Sequence, residues 1–200
     1  MRLIKLKEIF EKFFIRIADF IIISKKINRS EIIIRTLLCP KHVSSNNIIE
    51  DRKLKDFFLP YLGGVSVDRY RYINENKLKI QAKKKFSGSQ RYAGFAIFST
   101  DVFDDSIDEY KTKYPQSIFF TSIYATPLDE NENLIKDKVV FRWKTGNLAH
   151  ADIINYDQEI LLETPSTSCR NFSRILASNC IKLLDENPEK KNWTGLRFDH

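Results

Sequence analysis

Short apolar runs rich in β-branched and aromatic residues crowd the middle of this chain, and helices do not alternate with them. Residues 31–38, Glu-Ile-Ile-Ile-Arg-Thr-Leu-Leu, stop just before Pro40 and predict a strand. Residues 65–73 alternate, which predicts a strand with Val65, Val67, Arg69, Arg71 and Ile73 on one face. Ser66, Asp68, Tyr70 and Tyr72 then occupy the other face. Residues 92–99 and 117–125 predict two more strands. Residues 139–143 and 148–154, divided by a turn at Gly146, predict a hairpin. A doubly wound parallel sheet needs regular strand–helix alternation, which is absent. The expected class is α+β: a mixed or antiparallel central sheet with an N-terminal amphipathic helix and a C-terminal helix.

The helical signals lie mostly around those runs. Leu3, Leu6, Phe10, Phe13, Ile17 and Phe20 recur at three- and four-residue steps, predicting a helix over residues 3–23. Phe10, Phe13 and Ile17 are candidate partner contacts; packing on the chain's own core, or on a membrane surface, would use the same stripe. Residues 51–59 predict a short helix ending at Pro60. Asp101 is placed to cap a helix to Lys113, with acidic residues in its first turns. Ser168 or Thr167 is placed to cap another through Leu184, with Phe172, Leu176, Cys180 and Leu183 on its apolar face. Residues 77–85 are basic and give no clear structural signal. The division expected is a helix and joint over 1–29, one α+β domain over 30–187 and a tail over 188–200. That tail is polar but holds Trp193 and Phe198, two anchors for docking on a partner or on the chain's own core.

Charge is unevenly distributed. The 200 residues carry 33 Lys and Arg against 26 Asp and Glu, a net charge of +7. The excess sits in the first half, whereas residues 101–163 are acidic. Such asymmetry suits a polyanionic partner, unless the acidic stretch folds against the basic one. The densest basic segment, residues 69–92, holds Arg69, Arg71, Lys77, Lys79, Lys83, Lys84, Lys85 and Arg91, interleaved with Tyr70, Tyr72 and Tyr92. Cations neutralise phosphates and rings offer stacking faces, so these residues are candidate nucleic-acid contacts. Residues 91–98 also resemble the signature strand of the RNA-recognition motif at Arg91, Gly94, Phe95 and Phe98. The glycine that motif expects stands as Tyr92 and its first stacking aromatic as Ala93, so no role is carried over.

One constellation suggests chemistry. In a strand, His150 and Asp152 point to the same face, and a histidine beside a carboxylate is a candidate general base. Phosphate-loop, dinucleotide-binding, His-Glu-x-x-His and nucleophile-elbow patterns are missing from the sequence. Cys39, Cys169 and Cys180 share no metal-ligand spacing with each other or with the three histidines, so no metal and no cofactor is expected. Charged residues interrupt the N-terminal apolar stripe, which argues against a signal peptide or membrane span and for a cytoplasmic protein. The Ile, Lys and Asn bias suggests an AT-rich bacterial, phage or mobile-element genome. The expected function is a non-catalytic accessory or binding subunit of a larger complex, contacting nucleic acid and a protein partner. The alternative is a small hydrolase or nuclease using His150 and Asp152.

Overall fold

Strand β1 (Ile22–Ile23) opens the part of the chain that the computed structural model describes, which comprises residues 21–59, 64–86, 88–156 and 166–198. Phe10, Phe13 and Ile17 lie outside these residues. The predicted helix over 3–23 therefore cannot extend to its expected end, because Ile22 and Ile23 are extended. In chain order there follow β2 (Ile32–Cys39), α1 (Asp51–Leu54), β3 (Val65–Arg69), a 3-10 turn (Tyr70–Tyr72) and α2 (Glu75–Lys85). Next come β4 (Arg91–Ser99), α3 (Thr100–Lys113), β5 (Phe120–Ala125), β6 (Val140–Phe141), β7 (His150–Tyr156), α4 (Thr167–Asn179) and β8 (Ile181–Leu184). The fold is α+β. Its main sheet has six antiparallel strands in the order β5-β7-β3-β2-β4-β8, and β1 pairs with β6 in a separate two-stranded sheet. Among the described residues no helix is long and apolar enough to cross a membrane.

Strand period sends alternate residues to the two faces, and both faces are covered at the centre of the sheet. Ile33, Leu37, Val67, Phe98 and Ile153 face one way, against Phe103 and Tyr110 of α3 and Phe172 and Leu176 of α4. Ile34, Phe95 and Ile97 face the other way, against Leu78 and Ala82 of α2 and against Phe198. Arg35 points between the strands: β2 and β3 pair only at Ile33–Arg69 and Ile34–Asp68, and beyond that Arg35 Nη1 donates to the Ser66 carbonyl at 2.5 Å.

Five local expectations are corrected. The predicted 139–154 hairpin does not form, because β6 pairs with β1 and β7 pairs with β3 and β5. The C-terminal helix stops at Asn179, and Ile181–Leu184 becomes an edge strand on β4. Its cap is Ser166, whose hydroxyl accepts from the Cys169 amide, and Ser99 rather than Asp101 caps α3. The strand begun at Val65 ends at Arg69, so the 3-10 turn removes Arg71 from the row shared with Val65, Val67 and Arg69.

β4 carries a bulge. Leu37 opposes Gly94 and Leu38 opposes Tyr92, which leaves Ala93 as the extra residue. The bulge shifts Tyr92 onto the α2 face and lays Arg91 beside Cys39. Gly94 makes it possible at φ +152°, where a Cβ would fall on the Leu183 carbonyl oxygen and 2.8 Å from the Leu184 Cα. Gly94→Ala is therefore expected to cost about 3 kcal/mol and to lower the melting midpoint by roughly 10 °C. Calorimetry checks this, and an unchanged midpoint would show that β8 yields to the added methyl.

Candidate functional site

The basic surface is organised by α2. Asn74 caps it by accepting from the Lys77 amide at 3.0 Å, and three lysines end it, where the helix dipole favours cations. Its buried strip is Leu78, Lys79 and Ala82. Lys79 is fully buried; its ammonium pairs with the Asp185 carboxylate at 2.6 Å and donates to the carbonyls of Asn187 at 2.7 Å and Asn192 at 3.2 Å. The loop after β8 is thereby held against the helix, and Lys83 adds a bond to the Glu189 carbonyl at 3.2 Å. On the opposite side of α2, Lys77 and Lys84 are two turns apart and exposed, followed by exposed Lys85 and Arg91. Lys190 and Lys191, also exposed, follow Glu189 in the anchored loop. Among the described residues, Lys77, Lys84, Lys85, Lys190 and Lys191 form no ion pair.

The acidic stretch does not neutralise this surface. α3 has five carboxylates against two lysines, and it packs on the other face of the sheet from α2. Three of its carboxylates are paired locally, Glu109 with Lys113 at 2.5 Å, Asp101 with Arg29 at 3.5 Å and Asp108 with Lys111 at 4.0 Å. The five carboxylates of α3 thus lie on the opposite side of the sheet from the lysines of α2.

Several expected contact residues are placed elsewhere. Arg69 is fully buried: Nε and Nη2 donate to Glu31 at 2.6 and 3.0 Å, Nη1 to the Ser24 carbonyl, and Nη2 also to the Lys26 carbonyl at 3.1 Å. It is an internal strut and is withdrawn from the nucleic-acid surface. Arg71 is exposed, with its guanidinium 5.9 Å from the Tyr72 ring centre. The expected stacking rings are committed internally. Tyr70 packs on Phe198, Tyr72 lies under Arg69, and Tyr92 is buried against Phe95. Phe198 is buried and Trp193 half-buried, both against Phe95, so the tail anchors dock on the chain's own core.

His150 and Asp152 do share a face of β7, with Asp68 of β3 directly opposite His150. A link between them comes from Thr126, just past β5. His150 Nδ1 lies 3.0 Å from the Thr126 carbonyl and 2.9 Å from its hydroxyl, and that hydroxyl donates to Asp152 at 2.7 Å. A carbonyl only accepts, so Nδ1 carries the proton and Nε2 is left as the basic nitrogen of the neutral ring. Burial pushes the Asp68 carboxyl above the usual carboxylate range, opposed by the Asn147 amide at 2.7 Å and by attraction to the nearby side chains of His150, Lys85 and Arg35. Burial also lowers the Arg35 guanidinium to about 10, against the attraction of Asp68 and Asp152. Among the described residues no group of His, Cys, Asp and Glu is placed to hold a metal. All three cysteines are buried free thiols. No family model, curated protein or solved structure matches the chain.

Sequence reasoning missed Lys190 and Lys191 as part of the basic surface, and Thr126 and Asn147 as links in the His150 cluster. The two-turn spacing of Lys77 and Lys84 would have exposed the helical face had residues 77–85 been read as a helix. Thr126 gives no local signal, being 24 residues from His150.

Two outcomes follow from these geometries. Lys79→Met leaves Asp185 buried without its cation and is expected to cost about 3–5 kcal/mol, whereas Lys79→Met with Asp185→Leu recovers most of it. Denaturant melts followed by Trp193 fluorescence in a Trp143→Phe background read both; no recovery in the double variant would contradict the pairing. His42 is held neutral by burial, with nearby Arg35 and Lys41 adding to the effect, and accepts from the Leu38 amide at 3.1 Å. Its folded pKa lies well below 6.5, so below that pH the unfolded chain binds the extra proton and stability falls. Melting at pH 7.5 and 5.5 should show a smaller acid loss in His42→Asn than in the parent, and equal losses would reject this assignment.

Proposed function

We propose that this protein is a non-catalytic nucleic-acid-binding accessory subunit that acts within a larger complex. The observation carrying this reading is the separation of α2 from α3 by the sheet, with Lys77, Lys84, Lys85, Lys190 and Lys191 exposed and without an ion pair among the described residues. Such a surface draws phosphates by charge and counterion release, without needing stacking rings. Contact with a protein partner is supported by the sheet edge at β5, where Phe120 and Tyr124, with Ile118 just before the strand, expose apolar surface.

A second reading, hydrolysis of the bound strand, is favoured by one observation. Thr126 orients His150 and leaves Nε2 basic, the arrangement that a general base requires. End-labelled oligonucleotide incubated with the parent and with His150→Gln separates the two readings. Cleavage lost in the variant would replace the accessory reading, and intact strands in both would remove the hydrolase.

Binding itself is tested by anisotropy of a labelled single strand across a salt series. Changing Lys77, Lys84 and Lys85 together to Ala should reduce the magnitude of the log–log salt slope by about 2 to 3. Lys111→Ala with Lys113→Ala, on the acidic helix, should leave the slope unchanged. Equal slopes in the α2 variant and the parent would contradict the assignment of this surface.

A further inference from the structure

A cavity of about 450 Å³ lies where the α2 surface ends. Its walls come from four parts of the chain. Lys83 and Phe86 close the C-terminal end of α2, Arg91 begins β4, Ser45 and Asn47 come from the loop after β2, and Glu189 comes from the anchored loop. The volume is within the range of small-ligand sites and is too small for a duplex. Its polar groups have capacity to spare. Lys83 uses one donor on a carbonyl, Arg91 is exposed with only a weak 3.9 Å contact to the Cys39 sulfur, and Ser45 and Asn47 are exposed. Asp185 also lines the cavity, but Lys79 neutralises it. Two cations facing the single carboxylate of Glu189 suit one phosphate better than a triphosphate chain.

The loop that carries Ser45 and Asn47 is fixed in place. Ser44 N donates to the Ile48 carbonyl at 2.8 Å, Ile48 N to the Ser44 hydroxyl at 3.0 Å, and His42 N to the Leu38 carbonyl at 2.7 Å. The β4 bulge fixes the opposite wall by laying Arg91 beside Cys39. Phe86 adds a half-buried ring next to the two cations, which suits the base or sugar of a nucleotide.

We propose that this cavity binds a nucleotide through its phosphomonoester, with Lys83 and Arg91 on the phosphate and Phe86 beside the base or sugar. The proposal rests on the nucleic-acid reading insofar as the nucleotide is the end of a strand lying along α2. A free mononucleotide offers the same chemistry.

The test uses the full chain, adenosine monophosphate, and 12-nucleotide single strands of one sequence ending in a 5′-phosphate, a 3′-phosphate or neither. Binding through a strand end predicts that one phosphorylated strand binds roughly tenfold tighter than the unphosphorylated one. Arg91→Gln and Lys83→Gln should each erase that preference. Binding of a free nucleotide predicts that adenosine monophosphate binds the parent, that Arg91→Gln abolishes this, and that the three strands bind alike. Either pattern supports the cavity. Equal binding of all three strands with no adenosine monophosphate binding overturns it and leaves the α2 surface standing. If no strand binds in any form, the nucleic-acid reading fails, and adenosine monophosphate alone decides the cavity.

Discussion

The buried ammonium of Lys79 organises the face of the molecule on which function is proposed. A lysine without water is tolerated only when its charge is paired and its donors are used. Here the Asp185 carboxylate pairs with the charge, and the carbonyls of Asn187 and Asn192 accept from the ammonium. The consequence is geometric. One side chain ties α2, the end of β8 and the following loop, which carries Lys190 and Lys191, into a unit. Trp193 and Phe198 complete the unit by packing on Phe95 of the sheet. Arg69 with Glu31 plays the equivalent part at the other end of the sheet, joining β3 to the segment before β2.

With α2 fixed on one face and α3 on the other, the sheet acts as an insulating layer. Their charges are held apart by packed side chains such as Ile33, Ile34, Phe95 and Phe98 instead of cancelling across a shared surface. Electrostatic polarity of this kind steers a polyanion to one side and orients the molecule on it. The His150 cluster sits on that same basic side, close enough for Lys85 to act on Asp68. The basic surface of α2 and the His150 cluster are therefore neighbours.

The sequence made the class of fold legible, and the physical reason is periodicity. The β-branched run of β2 and the alternation of β3 and β7 are local, and so was the shared face of His150 and Asp152. What escaped was set by distant partners. β8 read as helix because Cys180 and Leu183 continue the spacing of Phe172 and Leu176, and only the edge of β4 makes it a strand. α2 was not recognised because its buried strip is a leucine, an alanine and a lysine whose counter-ion stands 106 residues away. Arg69 looked like surface charge because its carboxylate, Glu31, stands 38 residues away, just before β2. In each case local composition lost to a long-range ion pair or ladder.

The most direct test of the account is lysine-specific chemical footprinting, read by mass spectrometry, with and without saturating single-stranded oligonucleotide. Protection of Lys77, Lys84, Lys85, Lys190 and Lys191, with Lys111 and Lys113 on α3 as reactive as before, is the result predicted. Protection centred on α3, or no protection at any of the five, would contradict it.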